Sequence, residues 1–132
     1  MIKLILVVGL CALAVVATGQ RRPLGAPANA DPSEEGVRRA MSFALHEYNK
    51  ASNDMYAHKI EKINSVTKQI VSGVNYVFDV DITRTKCRKP TSDLANCESY
   101  SDPGSSKAVN CLFTVYSVPW LGTHEVKKTT CS

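Results

Sequence analysis

The placement of its cysteines constrains the fold of this chain more than any other feature of the sequence. Four of the five cysteines lie in the C-terminal half, and the fifth, Cys11, lies in an apolar stretch near the N-terminus. An even number of cysteines in a short exported chain indicates disulfide bonds, and four cysteines allow three connectivities. No C-x2-C pair or histidine cluster accompanies them, so we expect no zinc site and no other metal. The four are Cys87, Cys97, Cys111 and Cys131.

The N-terminus has the pattern of a secretory signal peptide. Lys3 precedes a short apolar run, and the small residues Ala17 and Gly19 occupy the −3 and −1 positions of a cleavage site. The run is shorter than the roughly 20 residues that a membrane-spanning helix needs, which favours a cleaved signal over an anchor. We therefore expect residues 1–19 to be removed and residues 20–132 to form one secreted, extracellular domain without membrane contact.

The charge of the chain is mildly basic and evenly spread. Sixteen Lys and Arg residues against 12 Asp and Glu give a formal net charge of +4. Basic residues cluster in adjacent pairs, among them Arg21-Arg22, Arg38-Arg39 and Lys127-Lys128. Because nucleic-acid and heparin binders carry a continuous basic stripe, the pattern predicts a solvated surface and no nucleic-acid partner.

A hairpin near the C-terminus selects one disulfide pairing. Residues 109–117 are rich in β-formers, residues 118–122 interrupt them, and residues 123–130 can run back. A hairpin centred near residue 121 places Cys111 opposite Cys131, where antiparallel partners are close enough for a disulfide. The remaining pair is then Cys87–Cys97.

One helix is expected before the strands. Asp31-Pro32-Ser33-Glu34 offers an N-cap acid, a proline at the first helical position and an acid at N3. The apolar residues that follow recur at helical spacing, which predicts one buried face. They are Val37, Ala40, Met41, Ala44, Leu45 and Tyr48. The preceding segment, residues 20–30, lacks periodicity and is interpreted as an extended, mobile arm.

The rest of the chain is predicted to be mainly strand. Residues 74–82 alternate apolar and polar, whereas Ile60, Ile63 and Val66 recur every third residue, a spacing that a second helix would also give. We predict a hairpin turning around residues 69–73 and a surface loop at residues 89–107. The pattern predicts an α+β domain with the helix packed on one face of an antiparallel sheet.

No catalytic site is evident, so we predict that the chain is not an enzyme and needs no cofactor. The three histidines are His46, which we place on the wet face of the helix, and His58 and His124, which we place at solvated strand positions. None belongs to a nucleophile–base motif, and no free cysteine remains after signal cleavage. A secreted nuclease, with two histidines and a lysine converging on phosphate, stays open as an alternative.

Several motifs together identify a family. Five features occur in the order found in type-2 cystatins. They are the leading Leu24-Gly25-Ala26-Pro27, the helix end at residues 47–54, the Q-x-V-x-G at residues 69–73, Pro119-Trp120 and the four C-terminal cysteines. The chain resembles these secreted cysteine protease inhibitors over essentially its whole mature length. Singly, Gln69 and Val71 could be turn and sheet residues, and Trp120 a core tryptophan.

The resemblance implies a cystatin-like fold, with a five-stranded antiparallel sheet wrapped around one long α-helix, and residues 55–67 as a strand. It also implies the disulfides Cys87–Cys97 and Cys111–Cys131. The arm and two hairpin loops would form a wedge that blocks the active-site cleft of papain-like proteases (cathepsins of the B, H, L and S class), reversibly and competitively. The implied protease-binding residues are Leu24, Gly25, Gln69, Ile70, Val71, Ser72, Gly73, Pro119 and Trp120.

A second site is suggested by Ser52-Asn53-Asp54, just past the helix. The segment resembles the loop with which some type-2 cystatins inhibit the asparaginyl endopeptidase legumain, and Asn53 would enter that enzyme's specificity pocket. The competing interpretation of Asn53 is a helix C-cap. We expect a monomer, with a domain-swapped dimer as an alternative because a strained hinge loop invites swapping. Cathelicidin pro-domains share the fold and four cysteines, but they lack Q-x-V-x-G.

Overall fold

The computed structural model describes residues 25–99 and 108–132. The predicted signal peptide and Leu24 lie outside these residues. One antiparallel sheet contains five strands in the order β1-β2-β3-β4-β5. The long helix α1 packs on its inner face, so the predicted α+β fold is confirmed. The elements are β1 (Ala28–Asn29), α1 (Glu35–Ala51), β2 (Tyr56–Val71), β3 (Gly73–Arg88), β4 (Val109–Val118) and β5 (Thr123–Cys131), with short 3₁₀ helices at Leu94–Asn96 and Pro119–Leu121.

Helix α1 begins later than the sequence predicts. Glu34 is its N-cap residue, and Asp31 instead accepts hydrogen bonds from the amide and the hydroxyl of Ser33, both at 2.8 Å. The proposed cap was therefore wrong, because this local turn satisfies Asp31 before the helix starts. The predicted apolar face is correct. Four of its six residues are buried and Met41 and Tyr48 are partly buried against the core.

The core lies between this helix face and the inner face of the central strands. Its largest fully buried side chains include Phe78 and Phe113, which are paired in register across β3 and β4. Burying such side chains removes apolar surface from water, which is the main favourable term in folding. The alternation predicted for residues 74–82 is confirmed, because Tyr76, Phe78, Val80 and Ile82 all face this core.

Two β-bulges explain the three-residue spacing in β2. Ile60 pairs with Ile82 and Lys62 with Asp81, so two steps along β2 match one step along β3, and the same happens between Ile63 and Ser65. Each bulge inserts one extra residue, Glu61 and Asn64. Residues three apart therefore face the core together, and Ile60, Ile63 and Val66 all pack there. The segment is a strand, and the helical alternative was wrong.

Both predicted disulfides are confirmed. Cys111 and Cys131 are paired in register with Cα atoms 4.1 Å apart, and Cys87 and Cys97 have Cα atoms 5.8 Å apart. A bulge in β5 contributes to the first pairing, because Val115 pairs with Val126 but Thr114 pairs with Lys128. Without the extra residue Lys127, Cys111 would face Thr130.

The N-terminal segment is not free where it is described. Ala28 and Asn29 pair with Lys68 and Thr67, and the Ala30 amide donates to the carbonyl of Val66 at 2.9 Å. The prediction of a mobile arm was therefore wrong for these residues, which form a short edge strand. Among the described residues, no helix has the length and apolarity needed to cross a bilayer.

Candidate functional site

The β2–β3 turn is tight and carries exposed apolar side chains. Val71 pairs with Gly73, so Ser72 alone forms its apex. The Ile70 side chain is 64% exposed, and Val71 is also exposed. Gly73 is buried with φ +120, a conformation that residues with a side chain rarely adopt. The turn predicted around residues 69–73 is confirmed, although Gln69, Ile70 and Val71 still belong to β2.

The β4–β5 turn is a single 3₁₀ turn. Pro119 begins it with a fixed φ, and Gly122 ends it with φ +65 while its amide donates to the Pro119 carbonyl at 3.2 Å. Trp120 is 70% exposed, so the interpretation of this residue as a core tryptophan was wrong. Leu121 beside it is 66% exposed. Two large apolar side chains therefore project into solvent from one short turn.

The N-terminal segment reaches the same end of the sheet. Gly25 has φ +85, and a Cβ atom on it would lie 3.2 Å from the Ile70 carbonyl oxygen. On the other side, Val74 and Ser117 are register partners, so the two turns lie on neighbouring strands. We name this surface, formed by Gly25, residues 69–73 and residues 119–121, the apolar edge.

The apolar edge concentrates exposed hydrophobic surface. Of the seven large apolar side chains exposed in the described residues, four lie on it. They are Ile70, Val71, Trp120 and Leu121. Clustered exposed apolar side chains indicate an interaction site, whereas scattered ones do not. The structure thus brings together every described residue that was predicted to contact papain-like proteases.

Two residues at this edge were missed by the sequence analysis. Leu121 was counted only as part of the interruption, although its place beside Trp120 in a Pro-Gly turn was a usable signal. Tyr116 was treated as a strand residue, yet its hydroxyl donates to the carbonyl of Ser72. No local pattern reveals a contact between residues 44 positions apart.

One serine–histidine pair in the fold is not a catalytic site. The Ser117 Oγ and His124 Nδ1 atoms are 2.7 Å apart, a distance typical of a nucleophile and its base. However, Ser117 is buried, and the His124 ring packs against Phe43 with centroids 5.4 Å apart. A substrate has no access to the hydroxyl, so the pair joins β4 to β5. Within the described residues, no group of three or more His, Cys, Asp or Glu side chains is arranged to hold a metal ion.

The predicted second segment lies at the opposite end of the sheet. Ser52 is the C-cap residue of α1, and Asn53 follows it without a positive φ. The alternative role of Asn53 as the helix C-cap was therefore wrong, because Ser52 occupies that position. Asn53 is exposed, whereas its neighbours are fixed. The Asp54 amide donates to the Ser52 hydroxyl at 3.1 Å, and the Tyr56 amide donates to Asp54 at 3.0 Å.

Charged groups also hold this segment. Arg84 contacts Asp54 through two nitrogen–oxygen distances, 2.8 and 3.2 Å, while Lys89 donates to the carbonyls of Asn49 and Ser52 at the helix end. Desolvation acts to raise the pKa of Asp54, but the Tyr56 amide and the Arg84 guanidinium outweigh it and the pKa is lowered. The ion pair is therefore kept at mildly acidic pH and lost only as the pH falls through that lowered pKa.

His58 lies beneath this segment and is not solvated, contrary to prediction. Its side chain is 14% exposed, and its ring contacts Tyr48 edge-on. Burial lowers the pKa of His58, and the nearby Asp54 carboxylate offsets this only in part. His46, in contrast, is exposed on the helix as predicted. His46 and His124 line one open surface cavity together with Arg38 and Arg39, but no lysine among the described residues lines it. The two histidines and the lysine of the nuclease alternative are therefore not assembled there.

Fold and site together define a class of protein. An α+β domain that presents exposed apolar turns at one end of its sheet is suited to contacting another macromolecule rather than to transforming a small substrate.

Comparison with known proteins identifies the family. A family model described as the cystatin domain matches residues 25–120. Cystatin-C of Rattus norvegicus is 46% identical over 126 residues, covering 92% of this chain and 90% of that protein. Cystatin-C of Homo sapiens is 47% identical over 110 residues, covering 83% and 75%. The structure of dimeric human cystatin F superimposes with a TM-score of 0.74 and 29% identity, covering 87% of this chain and 92% of that one.

The chain belongs to the cystatin family and is similar to its type-2 members. Cystatins are inhibitors of cysteine proteases rather than enzymes, and this class applies to the chain.

Proposed function

We propose that the chain is a reversible, tight-binding competitive inhibitor of papain-like cysteine proteases, including cathepsins of the B, H, L and S class. The apolar edge would enter the active-site cleft as a wedge. One observation carries the proposal: three segments distant in sequence meet at one end of the sheet, and two of them hold four of the seven large apolar side chains exposed in the described residues.

The chemistry of the edge suits obstruction better than cleavage. A substrate lies extended in a protease cleft, but Val71 and Gly73 are paired with each other on both sides of Ser72. Opening this turn would break strand pairs, so it presents no scissile bond to the catalytic thiol. In the arm, Leu24 would fill an apolar substrate pocket, and the positive φ of Gly25 would direct the chain away from the thiol.

Titration of oxidised 20–132 protein against papain tests this function. We expect papain activity to fall to zero at about one inhibitor per active site, and to return when inhibitor is displaced by dilution or by excess substrate. The matched control is the same protein with both disulfides reduced and alkylated, which should inhibit less because the β4–β5 hairpin loses its cross-link. Full papain activity in the presence of excess folded, oxidised protein would overturn the proposal.

We further propose that Asn53 binds legumain. The supporting observation is that an exposed asparagine lies between two hydrogen-bonded neighbours, a geometry that presents its side chain at little entropic cost. The 16-residue strand β2 separates this segment from the apolar edge, about 50 Å of extended chain. The two proteases would therefore bind without excluding each other.

Asn53→Gln separates the two activities. The extra methylene should weaken legumain binding by about 50-fold, because the pocket that accepts asparagine is too short for it. Papain binding should be unchanged, since the apolar edge is untouched. Trp120→Ala provides the reciprocal control and should weaken only papain binding. Equal inhibition of legumain by wild type and Asn53→Gln would contradict the assignment.

We also propose that the protein is secreted after removal of residues 1–19 and acts as a monomer outside the cell. Two disulfides support an oxidising compartment. A domain-swapped dimer remains the alternative state, and gel filtration of the oxidised protein distinguishes the two.

A further inference from the structure

The ring of Tyr116 spans the space between the two turns of the apolar edge. Tyr116 belongs to β4, two residues before the strand ends at Val118, and its register partner on β3 is Asn75. From there its hydroxyl donates to the Ser72 carbonyl at the apex of the other turn. The side chain therefore connects the end of β4 to the β2–β3 turn across β3.

Gly73 leaves the space that this ring fills. A Cβ atom on Gly73 would lie 2.7 Å from the Tyr116 hydroxyl oxygen and 2.8 Å from its Cε1 atom. Real Cβ atoms are essentially never so close to another heavy atom. Contacts within the inhibitor itself therefore require a residue without a side chain at position 73, independently of any contact with a protease.

The ring is also held from β5. The Lys127 Nζ atom lies 5.8 Å from the ring centroid, within the range of a cation–π contact. Glu125, the register partner of Tyr116, holds Lys127 through an ion pair of 3.1 Å. Lys127 is the extra residue of the β5 bulge, so an irregularity of the strand places this cation over the ring.

We propose that Tyr116 is a positioning residue, whose hydroxyl fixes the β2–β3 turn relative to the β4–β5 turn so that both meet the protease as one preformed surface. The proposal rests on the proposed function. Preorganisation lowers the entropy lost on binding, and among variants of one interface such changes appear mainly in the dissociation rate. Tyr116 itself need not contact the enzyme.

Tyr116→Phe tests the proposal, because it removes the hydroxyl and keeps the ring. We expect its complex with papain to dissociate about fivefold to tenfold faster, a loss typical of one hydrogen bond, with the association rate unchanged. The matched control is Tyr48→Phe, which removes a hydroxyl from helix α1, away from the edge, and should change neither rate. Urea unfolding should show that both variants are folded, with the free energy of unfolding lowered by no more than about 1 kcal/mol, the contribution of one hydrogen bond.

A second readout does not depend on any protease. In the free protein, amide hydrogen exchange of Ser72, Gly73 and Gly122 should be faster in Tyr116→Phe than in wild type and in Tyr48→Phe. Unchanged exchange would overturn the proposal even if papain binding weakens. If wild type fails to inhibit papain, the proposed function fails, and exchange alone decides whether Tyr116 fixes the turns.

A double-mutant cycle distinguishes positioning from direct contact. If Tyr116 aligns the two turns, Tyr116→Phe should matter less for papain binding once Trp120→Ala has removed the main contact of the second turn. Fully additive effects on the dissociation rate would contradict positioning and assign Tyr116 an independent role.

Discussion

Trp120→Ala is expected to weaken papain binding by about 300-fold. Trp120 is 70% exposed in the free protein and supplies a large, rigid apolar surface that would be desolvated on binding. Aromatic residues of this kind dominate interfaces, with losses of 2 kcal/mol or more on truncation, and about 3.5 kcal/mol corresponds to this factor. The inhibition constant against papain, measured with titrated enzyme, gives the result directly.

The free energy of unfolding should change by less than about 0.5 kcal/mol in the same variant, because an exposed side chain contributes little to the folded state. Met55→Ala is the matched control. Met55 is also an exposed apolar residue, at 56%, but it lies at the far end of the sheet. Papain binding should be insensitive to it. If Trp120→Ala binds papain as tightly as wild type does, the wedge is not formed by this turn.

Gly73→Ala is expected to lower the free energy of unfolding by about 3 kcal/mol. The substituted residue would keep φ +120, which is strained for any side chain, and its Cβ atom would meet the Ser117 carbonyl oxygen at 2.8 Å. That oxygen belongs to the β3–β4 ladder and cannot move without breaking it. Equilibrium urea unfolding of the oxidised protein measures the change, and papain binding should weaken with it.

Gly122→Ala is the matched control for this substitution. Gly122 also has a positive φ, +65, but a Cβ atom there would meet nothing within 4 Å. Only the backbone penalty remains, about 1 kcal/mol. The difference between the two variants measures the steric contact at Gly73 together with the greater backbone strain of φ +120 compared with φ +65. Equal losses of stability would show that the contact with Ser117 and Tyr116 is not restrictive.

Much of the fold could be predicted because the sequence carries regular patterns. The apolar face of α1 and the alternation in residues 74–82 each have the period of their element, and both are confirmed. The spacing of Ile60, Ile63 and Val66 was ambiguous for a physical reason. A bulge adds one residue between inward-facing positions, which converts a period of two into a period of three.

The pairing of Cys111 with Cys131 was predicted correctly by a count that did not include the bulge. The strands meet at Val118 and Thr123, so the turn is centred between residues 120 and 121 rather than on 121. The extra residue Lys127 restores the register by one position. The count placed the turn centre half a residue too late and omitted the bulge, and these two errors cancelled. The bulge could not be predicted from the sequence, because bulges depend on long-range packing.

The candidate site was predictable where a motif is contiguous, as at residues 69–73 and at Pro119-Trp120. Contacts between distant strands were not predictable. Tyr116 reaches Ser72 across β3, and the partly buried His58 ring contacts Tyr48 of helix α1. Both depend on which strands become neighbours and on how a curved sheet closes around the helix.

The bulges at Glu61 and Asn64 also make the curvature of the sheet independent of the residues that form the apolar edge. From Val66 to Val71, β2 pairs with β3 in perfect one-to-one register, and all the irregularity lies earlier in the strand. Glu61 and Asn64 have no register partner on β3. Deleting either residue would therefore change the curvature of the sheet, while every other residue of β2 would keep its present register partner. Sequence changes in the first half of β2 can therefore alter the curvature of the sheet and leave the β2–β3 turn at the end of the same strand unaltered.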